Sequence, residues 1–275
     1  MTVVAINTGQ VSGAPRLAYS EAGAGATALI CLHGIGGNRH NWTRQLQSLG
    51  AFCRVVAWDA RGYGDSDDYP GALAFTDFSD DLLRLLDHLA VERAALCGLS
   101  MGGRIALDFY DRHPTRVRSL IMVDTFPGFD SSFTQEGRER FVRERRQPLL
   151  EGKTLAEIAP AVARTLVSPA APSAVIQELI DSMCLLHQES YLKTIEAMTM
   201  YRPVTDVATV KVPVQIIVGA DDKLTPPAIS RKMAAAIAGA RLLELPATGH
   251  LSNLERPAEF NACVRAFLED IADNG

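Results

Sequence analysis

A serine flanked by glycines is the strongest chemical signal in this sequence. Ser100 lies in CGLSMGG at 97–103, with a glycine two residues before it and another two residues after it. An apolar run precedes this segment and a helical pattern follows it. A G-x-S-x-G segment between a strand and a helix is typical of a nucleophile elbow, a tight turn that exposes a strained serine at the sheet edge. A glycine-rich turn without chemistry is the alternative, so the interpretation depends on partners elsewhere.

A nucleophilic serine needs a base, and histidine commonly fills that role. Where the serine occupies such an elbow, the chain order is serine, carboxylate, histidine. Of the six histidines in the chain, only His250 follows the predicted strand at 214–219 and its acidic loop. The sequence therefore predicts His250 as the general base.

The acid that orients this histidine has two candidates. Asp222 fits a G-x-x-D-x-x-x-P spacing in the loop, whereas Asp221 comes one residue early and is expected to face away. Asp124 ends an earlier apolar strand and is the rival, because the acid can also come from that strand. Asp59 also follows a strand, but we interpret it as a structural carboxylate that pairs with Arg61. Asp222 is the preferred candidate.

A glycine-rich loop is expected to stabilise the charge that develops during acyl transfer. The apolar strand at 29–32 leads into HGIGGN at 33–38. Backbone N–H groups that are held in place stabilise a carbonyl oxyanion, and each one contributes about 3–4 kcal/mol in related cases. The expected donors are the N–H groups of Ile35 and of Met101, the residue after the nucleophile.

Six segments together make the chain resemble the α/β-hydrolase superfamily over nearly its whole length. They are HGIGG at 33–37, DARGYGDS at 59–66, GLSMGG at 98–103, RHPTRVRSLIMVD at 112–124, GADDKLTP at 219–226 and GHLSNLERPAEFN at 249–261. Within the superfamily the chain is most similar to 3-oxoadipate enol-lactonases, which open a lactone ring. The resemblance implies an α/β fold with a mostly parallel eight-stranded sheet, flanking helices and a helical cap inserted after strand 6.

The order of apolar runs divides the chain into a core and an insertion. Short apolar runs alternate with helical patterns in residues 1–124 and 211–275, which indicates a parallel sheet. The first two strands are expected near 3–7 and 16–21 as an antiparallel edge, and Thr76 is expected to cap a helix. The strand signal vanishes in 125–210, which we interpret as a helical cap over the site.

Four helices are predicted within this insertion. Their ranges are 137–151, 155–166, 172–186 and 189–200, with breaks at Pro148, Pro160 and Pro169. An enol-lactone substrate carries a carboxylate, so a cation or several N–H donors are expected to bind it. An arginine-rich stretch in the first helix is interpreted mainly as a solvated face. It comprises Arg138, Arg140, Arg143, Arg145 and Arg146.

Residues beside the glycine-rich loop are the other candidates for substrate binding. Arg39 and His40 are well placed in sequence to meet a carboxylate, and His33 belongs to the loop itself. Trp42 is a candidate for an apolar pocket wall, as are Met183, Met198 and Met200, although core packing is the alternative for all four.

Composition excludes several other classes of function. A net charge of −5 over 275 residues, with a pI near 5.7, gives no electrostatic case for binding nucleic acid or an anionic membrane. The N-terminal sequence lacks a secretory pattern, and no apolar run approaches the ~18 residues of a membrane span. Five scattered cysteines without a C-x-x-C suit reduced thiols in a cytoplasm. We expect no metal and no cofactor, and the sequence is compatible with a homo-oligomer.

These residues predict a serine hydrolase that cleaves a small-molecule ester or lactone through an acyl-enzyme. Two alternatives keep the same fold. One is another reaction, either C–C bond hydrolysis of a ring-cleavage dienone or cofactor-free perhydrolysis. The other is a signal-binding protein without catalysis, which an intact set of Ser100, Asp222 and His250 argues against.

Overall fold

The strands of this computed structural model, which describes residues 4–128, 135–201 and 206–273, form one eight-stranded sheet. They are β1 (Ile6–Val11), β2 (Leu17–Ala22), β3 (Ala28–Leu32), β4 (Arg54–Trp58), β5 (Ala94–Leu99), β6 (Val117–Val123), β7 (Val214–Gly219) and β8 (Arg241–Leu245). Their order across the sheet is β1-β2-β4-β3-β5-β6-β7-β8. β2 pairs antiparallel with β1 and β4, and the other pairs are parallel. The expected mostly parallel eight-stranded sheet is therefore confirmed.

Helices cover both faces of the sheet. They are α1 (Thr43–Leu49), α2 (Asp77–His88), α3 (Met101–Arg112), α4 (Gln135–Leu150), α5 (Leu155–Leu166), α6 (Ser173–Cys184), α7 (Gln188–Met200), α8 (Pro227–Ala236), α9 (Ser252–Glu255) and α10 (Pro257–Asp273). Alternate residues of each strand point to opposite faces. Ile30 accordingly joins the core cluster that contains the apolar sides of α2, α3 and α8, whereas Leu29 joins the cluster of α1 and α10. This layering leaves the C-terminal edge of the parallel strands for the loops.

Two predictions near the start of the chain need correction. The first strand begins at Ile6, several residues later than expected, and Val3 lies outside the described residues. β1 is an edge strand in which Val11 is the one buried residue, and its sequence has no continuous apolar run. Thr76 precedes α2, but its side chain makes no capping hydrogen bond. Asp77 Oδ2 instead accepts a hydrogen bond from the N–H of Ala74, at 3.0 Å.

The predicted breaks at Pro148 and Pro160 are wrong, because both prolines lie inside helices. A proline removes one N–H and crowds the carbonyl four residues earlier, so a helix retains it only where other interactions offset that cost. In α5 a capping box contributes such an interaction, since Thr154 and Glu157 bond each other's backbone N–H groups. Pro169 does lie in the turn between α5 and α6.

Helices α4–α7 occupy the chain between β6 and β7, close to the four predicted ranges. Residues 129–134 and 202–205 of the predicted insertion lie outside the described residues. The division into a core and a cap therefore stays a prediction. In the part of the chain that the structure describes, no helix combines the length and the apolar composition needed to cross a bilayer.

Candidate active site

Ser100 lies at the turn between β5 and α3 with a strained backbone, φ 53° and ψ −112°. Close packing enforces this turn, because a Cβ on Gly98 would lie 2.3 Å from the carbonyl oxygen of Gly102. A Cβ on Gly102 would lie 2.1 Å from the carbonyl oxygen of Leu32. The N–H of Ser100 donates to Val123 at 2.9 Å, which ties the turn to β6. Strain of this kind costs about 1–3 kcal/mol and is concentrated at functional sites.

His250 and Asp222 form a buried, hydrogen-bonded pair. His250 Nδ1 lies 2.8 Å from Asp222 Oδ2, and both residues are less than 5% exposed. The hydroxyl of Thr225 donates to the same Asp222 oxygen at 2.5 Å, and the N–H groups of Leu224 and Thr225 donate to Oδ1. Asp221, the neighbouring carboxylate, is exposed. Asp222 is therefore held by several donors, and it orients the histidine ring.

The electrostatics of this pair favour a charged carboxylate. Burial alone would raise the pKa of Asp222, but the charge of His250 and the hydrogen bonds from His250 and Thr225 bring it below its ordinary value. Burial alone would lower the pKa of His250, but the charge and hydrogen bond of Asp222, together with Asp124, raise it above its ordinary value. The arrangement thus stabilises the imidazolium that would form when the histidine accepts a proton.

Ser100 and His250 line one cavity, here called the Ser100 pocket, which Gly34–Gly37, Asn41 and Arg145 also line. Its remaining walls are mainly apolar, and several come from α5, α6 and α7. These side chains are Val162, Leu166, Leu179, Met183 and Tyr191. Within the described chain no hydrogen bond joins Ser100 to His250, and catalytic hydrogen bonds are often long before a substrate binds.

Two backbone N–H groups are available as donors beside the serine. Met101 is the first residue of α3, where N–H groups lack a partner within the helix. Ile35 lies in the loop after β3 and lines the Ser100 pocket. Among the described residues, neither N–H donates to a backbone or side-chain acceptor. They are therefore free to donate hydrogen bonds to an oxygen atom on which negative charge develops.

Arg39, predicted to contact substrate, is instead engaged in the protein interior. Its guanidinium forms ion pairs with Asp59 and Asp65, and the residue is only 6% exposed. The prediction that Asp59 pairs with Arg61 is also wrong, because Arg61 pairs with Asp81. Both arginines were misassigned because sequence proximity does not show which carboxylate lies opposite a long side chain.

The other three predicted substrate residues also lie outside the lining of the Ser100 pocket. His33 is buried, and its Nε2 accepts the N–H of Ala60 at 3.1 Å. His40 is exposed and lines a separate surface groove. Trp42 is fully buried and packs against Phe260, with ring centroids 6.2 Å apart. His33 and Trp42 therefore lie in the protein interior, and His40 lies at the surface.

The rival acid Asp124 lies close to the same site but has different partners. It is fully buried with φ 42°. Its two carboxylate oxygens accept the N–H groups of Gly219, at 2.8 Å, and Ser252, at 2.9 Å. Asp222, and not Asp124, is the carboxylate that bonds to His250.

Sequence reasoning missed Thr225 and did not single out Arg145. Thr225 stands in the same loop as Asp222, and a hydroxyl three residues after the acid was the available signal. Arg145 lines the Ser100 pocket, but nothing in the sequence distinguishes it from its neighbours in α4. Met183 also lines the pocket, whereas Met200 is exposed.

The sequence model of the alpha/beta hydrolase family matches residues 29–262, and this chain belongs to that family. It is 28% identical to 3-oxoadipate enol-lactonase 2 of Acinetobacter baylyi over 246 residues, 88% of each protein. It is 28% identical to 2-hydroxy-6-oxononadienedioate/2-hydroxy-6-oxononatrienedioate hydrolase of Paraburkholderia phymatum, covering 92% of this chain and 91% of the relative. A thermophilic esterase from Thermogutta terrifontis has a similar structure, with a TM-score of 0.86, 26% identity and coverage of 96% and 99%. The family and these three similar proteins support the conclusion that this protein is a hydrolase.

Proposed function

We propose that this protein hydrolyses carboxylic esters or lactones through an acyl-enzyme on Ser100. The observation that carries the proposal is the strained Ser100 turn in one pocket with His250, whose ring is bonded to buried Asp222. A nucleophile, a base and an orienting acid are the three groups that acyl transfer requires. The similarities to an enol-lactonase and an esterase support the same reaction class.

The proposed reaction has two steps. Ser100 Oγ attacks the substrate carbonyl carbon while His250 Nε2 takes the hydroxyl proton, and Asp222 stabilises the imidazolium. The N–H groups of Ile35 and Met101 donate to the tetrahedral oxyanion. His250 then protonates the leaving oxygen as the C–O bond breaks. In the second step water attacks the acyl carbon while His250 takes its proton, and His250 returns this proton to Ser100 Oγ as the acyl group leaves. For a lactone, acid and alcohol remain in one product.

We also propose that residues 125–210 act as a cap that selects the substrate. The side chains that α5, α6 and α7 contribute to the Ser100 pocket support this, because they line the same cavity as the nucleophile and are mainly apolar. A small molecule with apolar carbon next to its carbonyl group fits such walls.

Hydrolysis of 4-nitrophenyl butyrate tests the proposal. We expect a burst of nitrophenolate equal to the enzyme concentration if deacylation is slow, and labelling of Ser100 by phenylmethanesulfonyl fluoride, read by mass spectrometry. Ser100→Ala should lower kcat by about 10⁴–10⁶ without unfolding the protein. Ser173→Ala, an exposed serine in α6, is the matched control. Near-normal turnover by folded Ser100→Ala would rule out the mechanism, and no turnover by the wild type would favour a binding protein.

Hydrolysis of a C–C bond in a ring-cleavage dienone is the second candidate. The similarity to 2-hydroxy-6-oxononadienedioate hydrolase favours it. A panel of lactones, short acyl esters and dienones separates the two reactions by kcat/KM, and added hydrogen peroxide tests perhydrolysis. A dienone that is cleaved at least a hundred times more efficiently than every ester and lactone would replace our proposal.

A further inference from the structure

The Ser100 pocket contains a cation that forms no ion pair with any described carboxylate. Arg145 is the one permanently charged side chain among the described residues that line this pocket. It makes no hydrogen bond and no ion pair with any described residue. Arg39 and Arg61, by contrast, each pair with carboxylates. An arginine that is largely removed from water normally has such partners, because an unpaired buried charge is costly.

Local packing holds this guanidinium in place. Arg145 Cζ lies 3.9 Å from the centre of the Phe141 ring, one helical turn earlier in α4, and a cation–π contact of this kind orients the planar group. Burial lowers the pKa of Arg145, while Tyr191 and Glu144 act in the opposite direction. Stacking uses the flat face of a guanidinium and leaves its N–H edge available for a ligand.

A second polar group lies beside the arginine. Tyr191 also lines the Ser100 pocket, and its side chain is almost fully buried. Its hydroxyl makes no hydrogen bond within the described part of the chain, and the charge of Arg145 acts on it. A guanidinium with several N–H donors and a phenol with one O–H thus both line an otherwise mainly apolar pocket.

We propose that Arg145, assisted by Tyr191, binds a carboxylate of the substrate, so that the preferred substrates are acids that also carry the scissile ester or lactone. The inference rests on the proposed function because it assigns the substrate class of the same pocket. A guanidinium matches a carboxylate in charge and in its two parallel N–H donors. A phosphate monoester dianion would leave excess negative charge among apolar walls, so a carboxylate fits better.

Two esters of matched shape test this proposal. Mono-4-nitrophenyl adipate carries a carboxylate, and 4-nitrophenyl 6-methylheptanoate replaces it with an uncharged isopropyl group of similar size. We would measure kcat/KM for both with the wild type, Arg145→Gln and Arg145→Lys. Arg143→Gln is the matched control, since Arg143 is an exposed arginine of the same helix. Circular dichroism and thermal unfolding check that each variant folds.

We expect the wild type to prefer the anionic ester by at least about tenfold. Arg145→Gln should lose about 10- to 100-fold in kcat/KM for that ester, the usual range for a hydrogen bond to a charged group, and change little for the neutral one. Arg145→Lys should fall between, because the charge remains but the fork is lost. Arg143→Gln should match the wild type for both esters.

Two results would overturn the carboxylate site: no preference in the wild type, or equal losses on both esters in Arg145→Gln, which would indicate a packing role. If the wild type cleaves neither ester, the proposed function fails instead. Calorimetric titration with adipate then decides the role of Arg145 separately. Binding that weakens at least tenfold in Arg145→Gln would retain the site, and absence of binding to the wild type would remove it.

Discussion

The loops after β6 and β7 each bring a buried carboxylate to the same edge of the sheet, and the two differ in their partners. Asp222 accepts hydrogen bonds from Thr225 and bonds to the ring of His250, and its pKa lies below its ordinary value. Among the described residues, Asp124 accepts hydrogen bonds from two backbone N–H groups and from no side chain, and burial together with the charge of Asp222 raises its pKa to about 7. Two carboxylates that are similarly buried thus have pKa values shifted in opposite directions.

The difference shows that partners, more than burial, decide what a carboxylate can do. Asp222 has a nearby positive charge whenever His250 is protonated, so it remains an anion that can stabilise the imidazolium. Asp124 instead connects three parts of the site, because it follows β6 and bonds to the end of β7 at Gly219 and to Ser252, two residues after His250. We therefore expect Asp222 to act in the chemistry and Asp124 to hold the loops in position.

The largest expected difference between the two carboxylates is in turnover. Asp222→Asn should lower kcat by about 10⁴, because an amide favours the wrong histidine tautomer and cannot offset the imidazolium charge. Asp221→Asn, in the same loop but exposed, should leave kcat close to the wild type. Steady-state hydrolysis of 4-nitrophenyl butyrate measures both. If Asp124→Asn abolished turnover while Asp222→Asn did not, the roles would be exchanged.

The second expected difference is in stability. Asp124→Asn replaces a carboxyl oxygen, which can accept a hydrogen bond in the charged and in the neutral form, with an amide NH₂ that cannot accept one, so one buried hydrogen bond is lost. We expect the free energy of unfolding to fall by about 1–3 kcal/mol, measured by urea denaturation, with a much smaller loss of kcat than in Asp222→Asn. Unchanged stability in Asp124→Asn would mean that the loops do not depend on this carboxylate.

The raised pKa of Asp124 makes this stability loss depend on pH. A folded-state pKa of about 7, above an unfolded value of about 3.9, means that the folded protein binds more protons between these limits. This contribution to stability is full below about pH 4 and is lost as the pH rises through 7. Asp124→Asn should therefore destabilise the protein more at pH 5 than at pH 8. Asp124 also helps to raise the pKa of His250, and a raised histidine pKa likewise stabilises the folded protein more at low pH than at high pH. A loss that is larger at pH 8 would contradict this assignment.

Spacing in the sequence predicted the fold class and the candidate triad, since a strand, a tight glycine turn and a loop position each have a local signature. It favoured Asp222 over Asp124 through the loop spacing but could not show which of them bonds to the histidine, because both follow parallel strands that end at one edge. The choice depends on which N–H groups and which ring face each carboxylate, and that is set by contacts distant in sequence.

Long side chains were predicted least well, for a related reason. Arg39 is close in sequence to the glycine-rich loop, yet its guanidinium reaches Asp59 inside the protein. Arg145 is one of several arginines in α4, and only helix packing places it in the Ser100 pocket. A flexible side chain can reach several partners, so residue type and spacing do not determine which one it meets.

The smallest expected effect concerns the hydroxyl that distinguishes the Asp222 site from that of Asp124. Thr225 Oγ1 donates to Asp222 Oδ2 at 2.5 Å and lies 3.3 Å from His250 Nδ1. Thr225→Val removes the donor at nearly constant volume, so Asp222 should be held less firmly and its pKa should rise. Because Asp222 is charged before and during the reaction, only part of a hydrogen bond of about 1.5–3 kcal/mol is lost in the transition state. We expect kcat to fall by up to about tenfold, a factor that corresponds to about 1.4 kcal/mol.

Thr225→Ser is the matched control, since it keeps the hydroxyl and should retain most of the activity. Equal losses in Thr225→Val and Thr225→Ser would show that the methyl group, and not the hydrogen bond, supports the acid. Wild-type kcat in Thr225→Val would show that the two backbone N–H donors and the histidine suffice to hold Asp222. In that case the Asp222 and Asp124 carboxylates would differ functionally only through the bond to His250. The position of the histidine ring would then be the one feature that separates the roles of the two loops.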